Sequence, residues 1–323
     1  MSSALIRLYY RVTRFTKPLR TKVGTRGEKK EEWEPSREAS RAAIPIIRNA
    51  LERATADRPV ERRLARHLYT WLESGRAFSP ISVRMQETTA SVNVRDPGRL
   101  LGLVLSALEK RTWASQPGWR PEERALKTLA AFAGVVDIVH RAGGMKTPRV
   151  CCAVWTDGGR IALSTSMTRD SAKRKEGVRK ALKEDLRRFF PFLEKAPTPL
   201  MTNGRTRENC AEPSAWIQIS NDITRARIES TRVCHLAARV TNLLSEGPST
   251  TGETRGESLV RCREPAEVAR IIAESTIIKA MCENCTCGAP YLLLTAADGP
   301  PSEAEGGQRK RIIDFGLAGN WKK

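Results

Sequence analysis

Two short motifs constrain this chain more than anything else in it: Cys210-Ala211-Glu212 and, far along the sequence, Cys282-Glu283-Asn284-Cys285. A Cys-x-x-Cys at the start of a helix turns both sulfurs toward one ion, and the exposed N–H groups there favour thiolate charge. A thiolate from Cys210, at another helix start, would complete three protein ligands and leave a fourth position for water, the arrangement of a hydrolytic zinc site. Glu212 stands two residues on, placed to reach that water without ligating the ion, as a general base must. The fold is therefore expected to bring residue 210 to residues 282–285. A closed structural site of four cysteines is the competing arrangement, completed by Cys287, Cys262 or Cys234. Such a site has no need of Glu212.

The eight cysteines occur without a signal-peptide pattern and without an apolar run of membrane-spanning length. Their crowding near the end reads as metal binding in a reducing, intracellular compartment rather than as a disulfide framework. Cys151 and Cys152 read as buried strand residues, and Cys287 as a helix residue near the site. His67 and His140 lie on helical segments without a second ligand at metal spacing and read as packing or surface residues.

At 323 residues the chain exceeds a typical single domain, and three segments are expected: a basic arm and linker over 1–35, an all-helical subdomain over 36–145, and the zinc domain over 146–323. The arm carries Arg7, Arg11, Arg14 and Lys17 with no acid before Glu28, while Leu5, Leu8, Val12 and Phe15 can form the apolar face of a helix. That composition fits a mitochondrial presequence or, equally, an arm that contacts phosphates. Helices are expected over Ala39–Arg53 with a break at Pro45, from Pro59 to Gly75, from Asp96-Pro97-Gly98 through Leu108, and from Pro121 to Gly143-Gly144.

The character changes after Met145. Val150–Trp155 and Arg160–Thr165 flank Asp157-Gly158, a hairpin signal. Asp170–Phe190 reads as a helix with Val178, Leu182 and Leu186 inward and a basic outer face that includes Arg179, Lys180, Lys183 and Arg187. A helix begins at the first motif, because Pro213 fits only a first turn. Arg232–Val240 reads as a strand or part of a helix, and Arg311–Leu317 as a last strand.

A hairpin, Cys-Ala-Glu at a helix start, a strand and Cys-x-x-Cys at a further helix start, in that order, resemble the cytidine deaminase-like superfamily. Its signature is His-x-Glu followed by Pro-Cys-x-x-Cys, with coordination by three cysteines permitted. The string Asn209-Cys210-Ala211-Glu212-Pro213-Ser214-Ala215 is most similar to the YwqJ-like, bacterial-toxin-type deaminases, in which Cys replaces His. The resemblance spans roughly residues 148–320. It departs from the pattern at Met281, where Pro is usual, and in two long segments, 167–207 and 225–275. It implies an α/β, three-layer deaminase-like fold with a central mixed sheet, preceded by the helical subdomain. It further implies Zn2+ on Cys210, Cys282 and Cys285, with Glu212 as proton shuttle. Zinc-bound hydroxide would attack the amino-bearing carbon of a cytosine- or adenine-type base in a nucleoside, nucleotide or nucleic acid.

Charge bears on partners rather than on fold. Lys+Arg number 56 against 36 Asp+Glu, a net +20, with an isoelectric point near 10.1. Such a surface attracts polyanions, and the helix at 170–190 is the candidate contact. The other function these residues allow is a non-catalytic, zinc-stabilised module that binds nucleic acid or protein. No oligomeric state follows from the sequence.

Overall fold

The computed structural model describes residues 4–16, 37–84, 91–109, 119–157, 160–168, 172–196, 207–229, 232–245, 253–273, 277–279, 282–293 and 313–314. Helix α1 (Ala4–Thr16) places Leu5, Leu8, Tyr9 and Val12 in the core, so the apolar face of the basic arm is occupied by the protein itself. The helix expected over Ala39–Arg53 is two, α2 (Arg37–Ala42) and α3 (Ile44–Ala54), with Pro45 in the first turn of the second, where its missing N–H costs nothing. Helix α4 (Pro59–Ser74) opens on Pro59 and ends at Gly75, whose φ of 64° is left-handed.

The segment expected to be all-helical contains a hairpin. Strands β1 (Ile81–Arg84) and β2 (Ser91–Val94) pair antiparallel with Val83 opposite Val92. Each is a four-residue alternation of apolar and polar side chains, too short to stand out as a period-2 run. Helix α5 (Pro97–Leu108) then starts at Asp96, whose carboxylate accepts the Arg99 N–H. Helix α6 (Pro121–Ala142) is buried along most of its length.

The main sheet has the order β4-β3-β5-β6. Strands β3 (Val150–Thr156) and β4 (Ile161–Thr165) form the expected hairpin, and β5 (Val233–Arg239) lies antiparallel on the other side of β3. The last strand, β6 (Ile313–Asp314), runs parallel to β5, so the sheet is mixed. Between β4 and β5 come α7 (Ala172–Phe189), α8 (Glu212–Gln218) and α9 (Ser220–Ile228). After β5 follow α10 (Val240–Leu244), α11 (Arg255–Arg261), α12 (Pro265–Ala273) and α13 (Glu283–Gly288).

Adjacent residues of a strand face opposite sides. Cys151 of β3 feels Asp137 of α6, whereas its neighbour Cys152 feels Glu212 of α8. Helices α6 and α8 therefore cover opposite faces of the sheet. Helix α5 guards the outer edge of β4: Ser106 Oγ accepts the Leu163 N–H at 2.8 Å, and Gln218 Nε2 of α8 donates to the Leu163 carbonyl at 2.9 Å. The architecture is α/β, and α5 and α6, expected in a preceding subdomain, belong to the layers around this sheet. One continuous hydrophobic cluster runs from Leu5 to Leu292. No helix among the described residues is long and apolar enough to cross a membrane.

Candidate metal centre

The first motif sits in a tight turn. A 3-10 turn over Arg207–Asn209 leads into Cys210, whose N–H bonds the Arg207 carbonyl at 3.0 Å. Ala211 caps α8, Glu212 is the first residue of that helix, and Pro213 follows in its first turn. The second motif wraps the start of α13: Cys282 is extended at its N-cap, and its carbonyl accepts the N–H groups of Cys285 and Thr286 at 3.0 and 2.9 Å. The chain reaches Cys282 along β5, where the Lys279 N–H bonds the Ala237 carbonyl at 2.8 Å and Ile278 bridges Ala238. Residues 277–279 thus lie beside β5, joined to it among the described residues by a single bridge.

The two motifs meet. Cys210 Sγ lies 3.2 Å from Cys282 Sγ, and the three sulfurs of Cys210, Cys282 and Cys285 all lie within 4.8 Å of one another. Tetrahedral coordination at ~2.3 Å would separate the sulfurs by about 3.8 Å, so the cluster needs only small shifts to hold an ion. Its protonation points the same way. Hydrogen bonds from Cys210 and Cys285 lower the Cys282 thiol; the contact with Cys282 raises Cys210, and the contacts with Cys210 and then Cys282, together with burial, raise Cys285. Thiols that share protons in this way release them when a cation binds.

Glu212 completes the arrangement. Its carboxylate is buried, Oε2 lies 3.9 Å from Cys285 Sγ, and burial raises its pKa while its own N–H and that of Ala211 oppose the shift. All four residues expected at the site from the sequence therefore come together. Cys151, Cys234 and Cys262 are buried elsewhere, Cys152 is buried near enough to feel Glu212 and Cys210 without joining the cluster, and among the described residues Cys287 does not join it either. His140 is buried, with Nδ1 3.1 Å from the Lys146 carbonyl oxygen, while His67 lies against Phe78. Trp155 and Trp216 are core residues, and Trp216 Nε1 donates to His235 Nε2 at 2.8 Å. No family model, curated protein or solved structure matches this chain.

What the centre can do must therefore be read from its own residues, including two that the sequence did not single out. Arg99 of α5 is only 5% exposed. Its Nη2 donates to the Glu208 carbonyl at 3.1 Å, in the turn just ahead of Cys210. Burial lowers its pKa, and the charges of Asp96, then Cys210 and Cys152, oppose that shift. Arg207 donates Nη1 to the Leu193 carbonyl at 3.0 Å. Its guanidinium packs so closely on Gly288 of α13 that a Cβ there would lie 2.8 Å from Cζ. Arg207 thus ties the turn bearing Cys210 to the helix bearing Cys282 and Cys285. The sequence signal for Arg99 is a single cation in the first turn of an otherwise apolar helix; Arg207 carries none.

Proposed function

We propose that this chain is a zinc-dependent deaminase that hydrolyses the exocyclic amine of a cytosine- or adenine-type base in a nucleoside, nucleotide or nucleic acid. The observation that carries the reading is Glu212: an acid held in a buried position against a three-thiol cluster. Burial of a carboxylate is unfavourable, and a closed structural site gains nothing from one in that place. The order of elements supports the same reading: hairpin β3–β4, Cys-Ala-Glu at the start of α8, strand β5, Cys-x-x-Cys at the start of α13, then β6 parallel to β5. Thiolate donors favour zinc over magnesium or calcium.

Cys210, Cys282 and Cys285 would hold the ion. When bound, zinc supplies a water acidic enough to act as nucleophile at neutral pH. Glu212, its pKa raised by burial, takes a proton at its carboxylate and returns protons to the ring nitrogen and the departing amine. The backbone N–H groups of Ala211 and Glu212 hold the carboxylate in place between transfers. One water is consumed, a carbonyl replaces the amine, and ammonia leaves.

Elemental analysis of purified protein should find about one zinc per chain, lost in a Cys282→Ala/Cys285→Ala variant. Ammonia release across a panel of bases, nucleosides and oligonucleotides should then fall by at least ~100-fold in Glu212→Gln, with zinc retained. Zinc-loaded protein with no turnover on any of them would leave the non-catalytic zinc module standing.

A further inference from the structure

Helix α7 buries Val178, Ala181, Leu182 and Leu186 and turns a basic face outward. A charge run is often no more than a solvated surface. Here the same face forms one wall of a cleft of about 360 Å³, closed on the other side by Leu193 and Glu194 and by the Arg207–Glu208 turn. Five cations line it: Arg179, Lys180, Lys183, Arg187 and Arg207. Two of its acids are already engaged, Glu176 with Arg179 at 3.1 Å and Glu194 with Arg187. Lys180 and Lys183 are exposed and have no ion-pair partner among the described residues. The Arg207–Glu208 turn that lines the cleft leads directly into the metal centre: the Arg207 carbonyl accepts the Cys210 N–H at 3.0 Å.

We infer that this cleft seats the phosphodiester backbone of a single-stranded nucleic acid, so that a base can enter the adjoining thiol centre. From Arg179 to Arg187 the cations extend about 12 Å along the helix at 1.5 Å per residue, more than one phosphate group can span. A concave seat on three elements suits a strand better than the flat face of a lipid bilayer. A duplex is disfavoured, since its stacked bases cannot reach a buried centre without being flipped out. The assignment of a polymer as substrate rests on the deaminase reading; the binding of the strand does not.

The test uses fluorescence anisotropy of the full chain with fluorescein-labelled oligouridylate and oligothymidylate of about 20 nucleotides. Wild type should bind, and affinity should fall steeply between about 50 and 200 mM salt. Lys180→Glu/Lys183→Glu, whose fold is checked by circular dichroism, should bind at least ~10-fold more weakly and with a salt slope smaller by about 1.4, near 0.7 for each lost phosphate contact. Wild-type affinity in the double-lysine variant, binding to phosphatidylserine vesicles but not to oligonucleotide, or equal competition by a mononucleotide would each overturn the inference. Strand binding without turnover of any base would sink the deaminase reading alone and leave the cleft as assigned.

Discussion

Arg99 illustrates how far a single buried cation reaches. It stands on α5 yet fixes the carbonyl of Glu208, and with it the turn that presents Cys210. Groups that orient a metal ligand typically govern affinity by about 10- to 100-fold. Arg99→Met is therefore expected to weaken zinc binding by about that factor, read by competition with a chromophoric chelator, while Arg99→Lys should recover part of the loss. Asp185 is a second residue whose surroundings set its behaviour. It is buried on α7, accepts the Asn93 N–H at 3.1 Å, and has its pKa pushed up to about 6 by burial, against the pull of Asn93, Arg188 and Arg99. Between about 4 and 6 the folded chain keeps a proton there that the unfolded chain has released, so this group's contribution to stability is lost as pH rises through that window. Asp185→Asn removes the effect. Its melting temperature should gain on wild type by a few degrees as pH goes from about 4 to about 7 in matched thermal scans, and a constant difference would refute the assignment.

At the level of elements, the contact between α5 and β4 is made at backbone range. A Cβ on Gly102 would lie 2.3 Å from the Leu163 carbonyl oxygen, and that oxygen belongs to a strand that cannot give way without disturbing its pairing with β3. Gly102→Ala should cost about 1–3 kcal/mol, seen as a lowered denaturation midpoint at unchanged slope. Ser106→Ala leaves the Leu163 N–H buried without its acceptor, and should speed hydrogen exchange at that amide and lose about 1–3 kcal/mol. Local chemistry made many elements legible in advance. Proline in the first turn marked the starts of α4, α5 and α6, Asp96 marked a cap, and Asp-Gly marked the β3–β4 turn. The metal cluster was legible because residue type and spacing carry it. Strands β1 and β2 were not, being four residues each and defined by their pairing with one another. The two arginine ties were illegible for a related reason: Arg99 meets Glu208, and Arg207 meets Gly288, only once the chain has folded.

At the scale of the whole molecule, the basic amphipathic start is a structural element. Leu5 and Val12 are fully buried, and the Leu5 N–H bonds the Glu109 carboxylate at 2.9 Å. Deletion of residues 1–16 should uncover the helix beneath and yield an insoluble or partly unfolded chain, judged by solubility and near-ultraviolet circular dichroism. A removable leader predicts the opposite, a truncated chain that melts as cooperatively as the full one. The metal centre also has a consequence for the chain as a polymer. Its sulfurs come from positions 72 residues apart, so one bound ion would cross-link a long stretch of backbone. By chain-entropy arithmetic a closure of that length stabilises the folded state by about 4 kcal/mol. Where the ion is scarce, newly made chains would lack this closure and stay open to proteases for longer. The amount of protein, before the rate of each molecule, would then follow the supply of metal.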